Sequence, residues 1–521
     1  MKRLEKRLRV LAPEMLRGLR RGIEKEGLRA TPDGMLAATP HPAGLGSPLT
    51  HPHITTDFSE SQLELITDVH GEVDACRDEL TEIHQAVYHN IGDEVLWGVS
   101  MPCTLPADDE IPLARYGSSN VAQAKTIYRR GLSYRYGRRM QTISGIHYNF
   151  SLPEAAWPAL QQADERRGPA RAHQDDAYFA LIRNFRRHSW LLLYLFGASP
   201  AVCASFVAGR RHVLQELKPG TMYLPHSTSL RMGPLGYQSD AQASLAVSYN
   251  CLDSYARSLY VALTEPYPQY AAIGITDGTD YRQLSMTLLQ IENEFYGTIR
   301  PKRPIQPGER PLHALSERGV EYVEVRCMDI DPFCAVGINA DTMRFLDVFL
   351  LHCLLTESPP DTPEEIAANS RNQHRVALRG REPKLRLDRH GREITLAAWS
   401  EELLRECASV AAALDDAYRG RAYRDVLSAA GAAIAEPAVT PSARVLREME
   451  QSHDRSHLRF GLARSMEHRR HLLELPWTAA AQARHAQLAE DSRRAQAQIE
   501  AADTMPFESY RRQYLALELL S

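Results

Sequence analysis

Four separated stretches each place acidic or imidazole side chains at strand spacing. In RGIEKEGLRA, Ile23 alternates with Glu24, and Glu26 follows on the same face. In DFSESQLELIT, Leu63 and Leu65 oppose Gln62 and Glu64, and Asp57 enters the strand from its start. In SGIHYNFSL, Ile146, Tyr148 and Phe150 oppose His147, Asn149 and Ser151, and in YVEVRC Glu324 shares a face with Arg326. One such strand alone is ordinary, because half-buried strands turn a polar side to water. Together they are unusual, since solvated faces favour Thr, Ser and Lys. Five carboxylates (Glu24, Glu26, Asp57, Glu64, Glu324) and the His147 imidazole suit hard divalent cations. If they share one sheet face, their repulsion demands cations.

A second set is basic and aromatic. AKTIYRRGLSYRYGRRMQTISG holds Lys125, Tyr128, Arg129, Arg130, Arg135, Arg138 and Arg139, IRPKRP holds Arg300, Lys302 and Arg303, and TSLRMGPLGY holds Arg231 and Tyr237. Beside a multi-carboxylate metal site such cations fit the phosphates of a nucleotide triphosphate better than RNA. Lys125, Arg129, Arg231, Arg300 and Arg326 are the five retained as candidates, the others reading as solvated helix charges. RNA binding stays a rival whose test is salt dependence.

Positioning these groups needs strands in one sheet and a large core. With 521 residues, 44% of them apolar, the chain can bury one. Its strand-like segments are two short ones within 20–36 around the turn Pro32-Asp33-Gly34, then DFSESQLELIT, MQTISGIHYNFSLP up to Pro153, 287–299 and 320–331, all in the first two thirds, with helices over 1–20, 72–91, 175–197 and 241–265. Helix dominates from about 341 to 521, the last part reading as a solvated helical region. There is no repeat or low-complexity linker. This predicts an α+β protein, a single large catalytic domain over 1–521 with its active-site strands within 20–331.

Near-balanced charge (61 Lys+Arg, 65 Asp+Glu) gives no electrostatic case for nucleic acid. There is no P-loop, dinucleotide fingerprint or zinc-finger spacing. The eight cysteines are scattered, without a C-x-x-C, and none has a setting that marks a nucleophile. The basic N-terminus lacks the apolar core of a secretory signal, and Glu5, Glu14 and the absence of Ser set it apart from a mitochondrial presequence. A cytoplasmic location is expected. WLLLYLFGASPAVCASFVAG, 190–209, is uncharged and nearly bilayer length, but Gly197, Ser199 and Pro200 divide it. It reads as the end of a buried helix that starts near Asp175 or Asp176.

These residues sit in long motifs: RGIEKEGLRATPDG, GSPLTHPHITTDFSESQLELIT, GDEVLWGVSMPC, MQTISGIHYNFSLP, YLFGASPAVC, YLPHSTSLRM, QIENEFYGTIRPKR, GVEYVEVRCMDIDPF and EAADTMPF. Through them the chain resembles the glutamate–cysteine ligases of proteobacteria. The match weakens after about residue 350, and Gly27 stands where the motif often has a bulkier residue. The resemblance implies a glutamine synthetase-like carboxylate–amine ligase fold, with a curled antiparallel sheet forming a funnel surrounded by helices. It implies Mg²⁺ (or Mn²⁺) held by Glu24, Glu26, Asp57, Glu64, His147 and Glu324. It further implies ATP and phosphate contacts at Lys125, Arg129, Arg300 and Arg326, with Arg326 and Arg129 catalytic, and amino-acid contacts at Tyr128, Gln141, Asn149, Arg231, Tyr237 and Tyr296. The implied reaction is ATP-dependent ligation of glutamate to cysteine through γ-glutamyl phosphate, the first step of glutathione biosynthesis. The expected partners are these small molecules, with no nucleic acid or membrane, and the expected state is a monomer. A ligase of the same family with a different amine acceptor is the alternative. A non-catalytic relative is disfavoured, because the acidic set is intact.

Overall fold

A computed structural model describes residues 2–236, 245, 247–306 and 308–519. Tyr237 and most of the segment after it, 238–244 and 246, lie outside the described residues. The main sheet has seven strands: β1 (Arg20–Ala30), β2 (Ile54–Thr56), β3 (Gln62–Ile66), β4 (Val95–Leu96), β5 (Ile146–Ser151), β6 (Ile299–Lys302) and β7 (Tyr322–Met328). Their order is β6-β7-β5-β1-β3-β2, with β4 on the far end of β1, and every pairing is antiparallel. The sheet is open, with β2 and β6 at its edges.

One face is apolar because every second residue is: Ile23, Leu63, Leu65, Ile146, Tyr148, Phe150, Val323 and Val325 are all buried in one continuous core. Helices cover it, among them α1 (Val73–Tyr88), α3 (Ala170–His188), α4 (Trp190–Phe196) and α5 (Ala340–Leu355), while α2 (Asn120–Tyr136) packs outside this core. Phe185, Leu346 and Phe349 are among the fully buried contributors, each worth about 1.5–3 kcal/mol of burial. A buried ion pair joins the layers: Arg21 of β1 meets Asp347 of α5 at 2.8 Å, and Tyr148 Oη donates to the same carboxylate at 2.8 Å. Removing one partner leaves a buried charge unpaired, at about 3–5 kcal/mol.

Several elements differ from expectation. Segment 20–36 is one long strand and a bridge, not two strands: the chain turns at Gly34 (φ 81°) and only Leu36 returns to pair with Ala30. Segment 287–299 is not a strand. Its alternating polar residues are buried partners of distant groups. Gln290 donates to Tyr128 O, Glu292 pairs with Arg310 and Glu294 with Arg135. These contacts hold an irregular loop with one isolated bridge, Thr287 to Pro266, and pairing with the main sheet starts only at Ile299. The helix expected at 175–197 begins earlier, after Pro169, and is broken in two at Ser189, where the Trp190 indole donates to Arg187 O at 3.1 Å. The helix expected at 241–265 is seen as Leu252–Thr264. A hairpin, Arg386–Arg389 with Arg392–Thr395, interrupts the helical C-terminal part and was not anticipated. No helix among the described residues is long and apolar enough to cross a membrane.

The motif EAADTMPF has a structural role. Asp503 accepts from the Asn120 amide and from its side chain (2.6 Å), Met505 O accepts from the same side chain (2.7 Å), and Glu500 accepts from the Ser118 amide (2.8 Å). This segment thereby caps the first turn of α2, where free N–H groups need acceptors and negative charge is favourable.

Candidate active site

The polar face follows from register. Glu24 stands opposite His147, Glu26 opposite Glu64, and Glu324 opposite both Asn149 and Arg300. Side chains that face each other across antiparallel strands point the same way. Four strands therefore deliver Glu24, Glu26, Glu64, His147, Asn149 and Glu324 to one surface. Glu24, Glu64 and His147 present ligand atoms within 4.8 Å of one another. His147 Nδ1 lies 3.3 Å from Glu24 and 3.8 Å from Glu324, and its Nε2 lies 3.7 Å from Glu26. Asp57 is not at the start of β3. It follows β2 and closes the β2–β3 hairpin, its amide donating to Gln62 O at 3.0 Å.

The electrostatics fit a cation. Burial, then the Glu24, Asp57 and Glu26 charges, push the Glu64 carboxyl well above its ordinary value. Burial also raises Glu26, against the His147 imidazole. At Glu324 burial opposes ionisation, but Lys302, Arg326, His147 and Arg300 together hold the carboxyl well below its usual range. Glu24 is lowered as well: burial and Glu324 push up, and the His147 hydrogen bond and Lys302 outweigh them. Glu324 Oε2, Asn149 Oδ1 and Gln62 Oε1 are buried oxygens with no hydrogen-bond donor. An oxygen-rich set with bare acceptors and one imidazole matches the donor chemistry of Mg²⁺ or Mn²⁺.

Beside this set β7 is irregular. Val325 pairs with Tyr148, but Ile146 pairs with Met328, so β7 carries one extra residue. A bulge of this kind re-aims side chains. It leaves Arg326 Nη1 3.1 Å from Glu324 and 3.4 Å from His147. Arg326, Arg231, Tyr296, Tyr249 and Gln373 line a cavity of about 220 Å³ that opens next to the carboxylates. Gln141 donates to Tyr296 Oη at 2.8 Å.

On the other side, α2 aims its basic residues at the β2–β3 hairpin. Arg129 donates to the carbonyl of Asp57 and to Thr56 O, and its guanidinium stacks 4.6 Å from the Tyr116 ring. Lys125 lies 5.0 Å from the same ring, and burial, then Arg129, push it down to about 8. Tyr128 is half-buried, 5.9 Å from Arg129. Arg300 is buried, its guanidinium held by Asn293 O and Phe295 O. Arg130, Arg135, Arg138 and Arg139 brace loop carbonyls.

Two residues that the sequence showed but gave no role belong to the site. Lys302 Nζ lies 3.3 Å from Glu324 Oε1, and its period-2 spacing from Arg300 was the available signal. Gln62 shares the face of Glu64. No cysteine joins the site: burial pushes Cys327 up to about 12 and raises Cys334.

An open antiparallel sheet of this topology, acidic on one face and helix-packed on the other, is the fold of a carboxylate–amine ligase. The solved glutamate–cysteine ligase of Francisella tularensis, in complex with AMP, superposes with a TM-score of 0.90 at 36% identity, over 96% of this chain and 97% of that one. The bifunctional glutathione synthetase of Pasteurella multocida matches 91% of this chain and 55% of its own at a TM-score of 0.71 and 26% identity. The glutamate–cysteine ligase family model matches residues 6–376. The glutamate–cysteine ligases of Alcanivorax borkumensis and Azotobacter vinelandii are 48% and 49% identical, over 99% and 96% of this chain and 99% and 95% of theirs. The chain belongs to the glutamate–cysteine ligase family.

Proposed function

We propose that the protein joins the γ-carboxylate of L-glutamate to the amine of L-cysteine with ATP, giving γ-glutamylcysteine, ADP and phosphate, as the first step of glutathione biosynthesis. The observation that carries this reading is the single face on which Glu24, Glu26, Glu64, His147 and Glu324 converge beside Arg326 and the cavity it lines.

Glu24, Glu26, Asp57, Glu64, His147 and Glu324 would hold the divalent cation, Mg²⁺ or Mn²⁺. Such an ion, when bound, neutralises polyphosphate oxygens and orients them. The γ-carboxylate oxygen of glutamate attacks the γ-phosphorus, and the bond to the bridging β–γ oxygen breaks, releasing ADP. Arg326, between the carboxylates and the cavity, stabilises charge on the transferring group, with Arg129, Lys125 and Arg300 on the polyphosphate. An approaching polyphosphate favours the protonated form of Lys125. Arg231, Asn149, Tyr128, Gln141, Tyr237 and Tyr296 orient the amino acids. The cysteine amine then attacks the acyl carbon of γ-glutamyl phosphate, loses a proton, and phosphate leaves. No side chain acts as nucleophile, so the residues' work is positioning and exclusion of water. Action as a cytoplasmic monomer belongs to the same reading, and gel filtration tests the monomer.

The test is ADP release with glutamate, a panel of amines and a divalent-cation titration. Cysteine is expected to give the highest kcat/KM. Faster turnover with another amine would assign a different acceptor, and no glutamate-dependent ADP release with any amine would overturn the reading.

A further inference from the structure

Three motif segments that contribute nothing to the carboxylate face meet at one side chain. They are GASP just after α4, HSTSLRM, which carries Arg231, and MDID at the end of β7. Asp329, buried just past β7, accepts through Oδ2 from the Ala198 amide (2.9 Å) and the Ser199 hydroxyl (2.5 Å). Its Oδ1 accepts from the Ser229 hydroxyl at 2.9 Å and lies 3.9 Å from Arg231 Nη1. Arg231 is itself only 1% exposed, and its Nη2 donates to Arg326 O at 2.8 Å. The guanidinium is thus held between two groups that leave the same strand, the carbonyl at the bulge and the carboxylate three residues on. Gly145 passes directly over it, where any Cβ would collide with the guanidinium.

A fourth motif completes the frame. Ser100 Oγ accepts from the Ile330 amide at 2.8 Å, and Ser100 O accepts from the Ser144 amide at 3.0 Å. The backbone on either side of Asp329 and Gly145 is therefore tied together. Three neutral donors, the Ala198 amide and the Ser199 and Ser229 hydroxyls, fix the orientation of the carboxylate independently of Arg231. What the arrangement supplies is a single orientation of the guanidinium in the wall of the cavity.

The geometry points to Asp329 as the positioning residue that fixes Arg231 against the carboxylate of an amino-acid substrate. This rests on the assignment of Arg231 to amino-acid binding made above. Asp329 touches no substrate. It acts only through Arg231, and a displacement of that group by about 1 Å costs on the order of 100-fold in rate.

The experiment is steady-state kinetics of the full-length protein as wild type, Asp329→Asn, Arg231→Ala and the double variant, with thermal melts of each. Asp329→Asn is expected to raise the KM for one amino acid by about 10- to 100-fold, with the KM for ATP unchanged. In the Arg231→Ala background the same change is expected to add less than about twofold, because residues acting as one unit are not additive. An equal penalty in both backgrounds, or an equal rise in every KM, would make Asp329 a structural residue and overturn the inference. A harmless Asp329→Asn beside a costly Arg231→Ala overturns it while leaving the substrate assignment intact. A harmless Arg231→Ala removes the assignment itself. If Asp329→Asn does not fold, Ser229→Ala and Ser199→Ala each remove one donor. Each is then expected to raise the same KM by about fivefold, the worth of one hydrogen bond, and no selective rise in either would overturn the inference.

Discussion

Glu64 and His147 reach the same space from strands that never touch. Glu64 is on β3 and His147 on β5, which flank β1 on opposite sides, and yet their ligand atoms come within 4.8 Å. Residues converging on one cation act as a unit. Glu64→Ala and His147→Ala are each expected to cost several orders of magnitude in ADP release, and the double variant little more than the worse single one. Raised Mg²⁺ should rescue His147→Ala more than Glu64→Ala, since an imidazole attracts a hard cation less than a carboxylate does. Strict additivity with no Mg²⁺ dependence would put them at separate sites.

Glu324→Gln keeps the shape of a buried side chain and removes its charge. Lys302 and Arg326 then lose a carboxylate at 3.3 and 3.1 Å. Turnover should fall by at least about 100-fold while circular dichroism stays that of the wild type. Near-normal turnover would remove Glu324 from the site.

The thiols should be dispensable. Cys327 is buried, and burial holds it protonated at neutral pH. Cys327→Ser is expected to retain the wild-type mechanism and most of its kcat. Complete inactivity in a folded Cys327→Ser protein would point to covalent catalysis by the thiol.

Lys25 gives a pH-dependent prediction. It lies between Glu24 and Glu26 but points to the apolar side, 4% exposed, with its Nζ 2.6 Å from His84 Nε2. Burial pushes it down to about 8. Unfolded, a lysine keeps its proton to about pH 10.4. Between those values the unfolded state binds more protons, so stability rises with pH there, and below pH 8 the full cost of the buried charge applies. That cost is about 3 kcal/mol. Lys25→Met should therefore raise the Tm more at pH 7 than at pH 10. A gain independent of pH would mean that Lys25 is not the charge responsible.

The metal face was readable because a strand alternates with a period of two, and Glu24 and Glu26, or His147 and Asn149, keep that period without interruption. Arg300 and Lys302 stood out only as part of the basic run IRPKRP, and it is the pairing of β6 with β7 that brings Lys302 to Glu324. Segment 287–299 misled for a related reason. Its polar alternation was genuine, but Glu292 and Glu294 answer to Arg310 and Arg135, partners that only the folded chain brings near. Asp57 looked like the head of β3 because a hairpin's two arms are adjacent in sequence, and only the Asp57–Gln62 contact separates them. The extra residue in β7 left no trace in VEVRCMD, because a bulge is a property of pairing and not of one strand's composition.

The cap that EAADTMPF places on α2 also sets an order of assembly. Asn120 and Asp503 are 383 residues apart. During synthesis, every strand bearing a carboxylate ligand has left the ribosome long before Asp503 is made. The nascent chain can therefore build its acidic face while the helix carrying Lys125 and Arg129 is still untethered at its first turn. The tether of α2 is thus made after the sheet, so a frameshift or a clip ahead of Asp503 would leave the carboxylate strands intact and silence the enzyme through the unanchored first turn of the helix that carries Lys125 and Arg129.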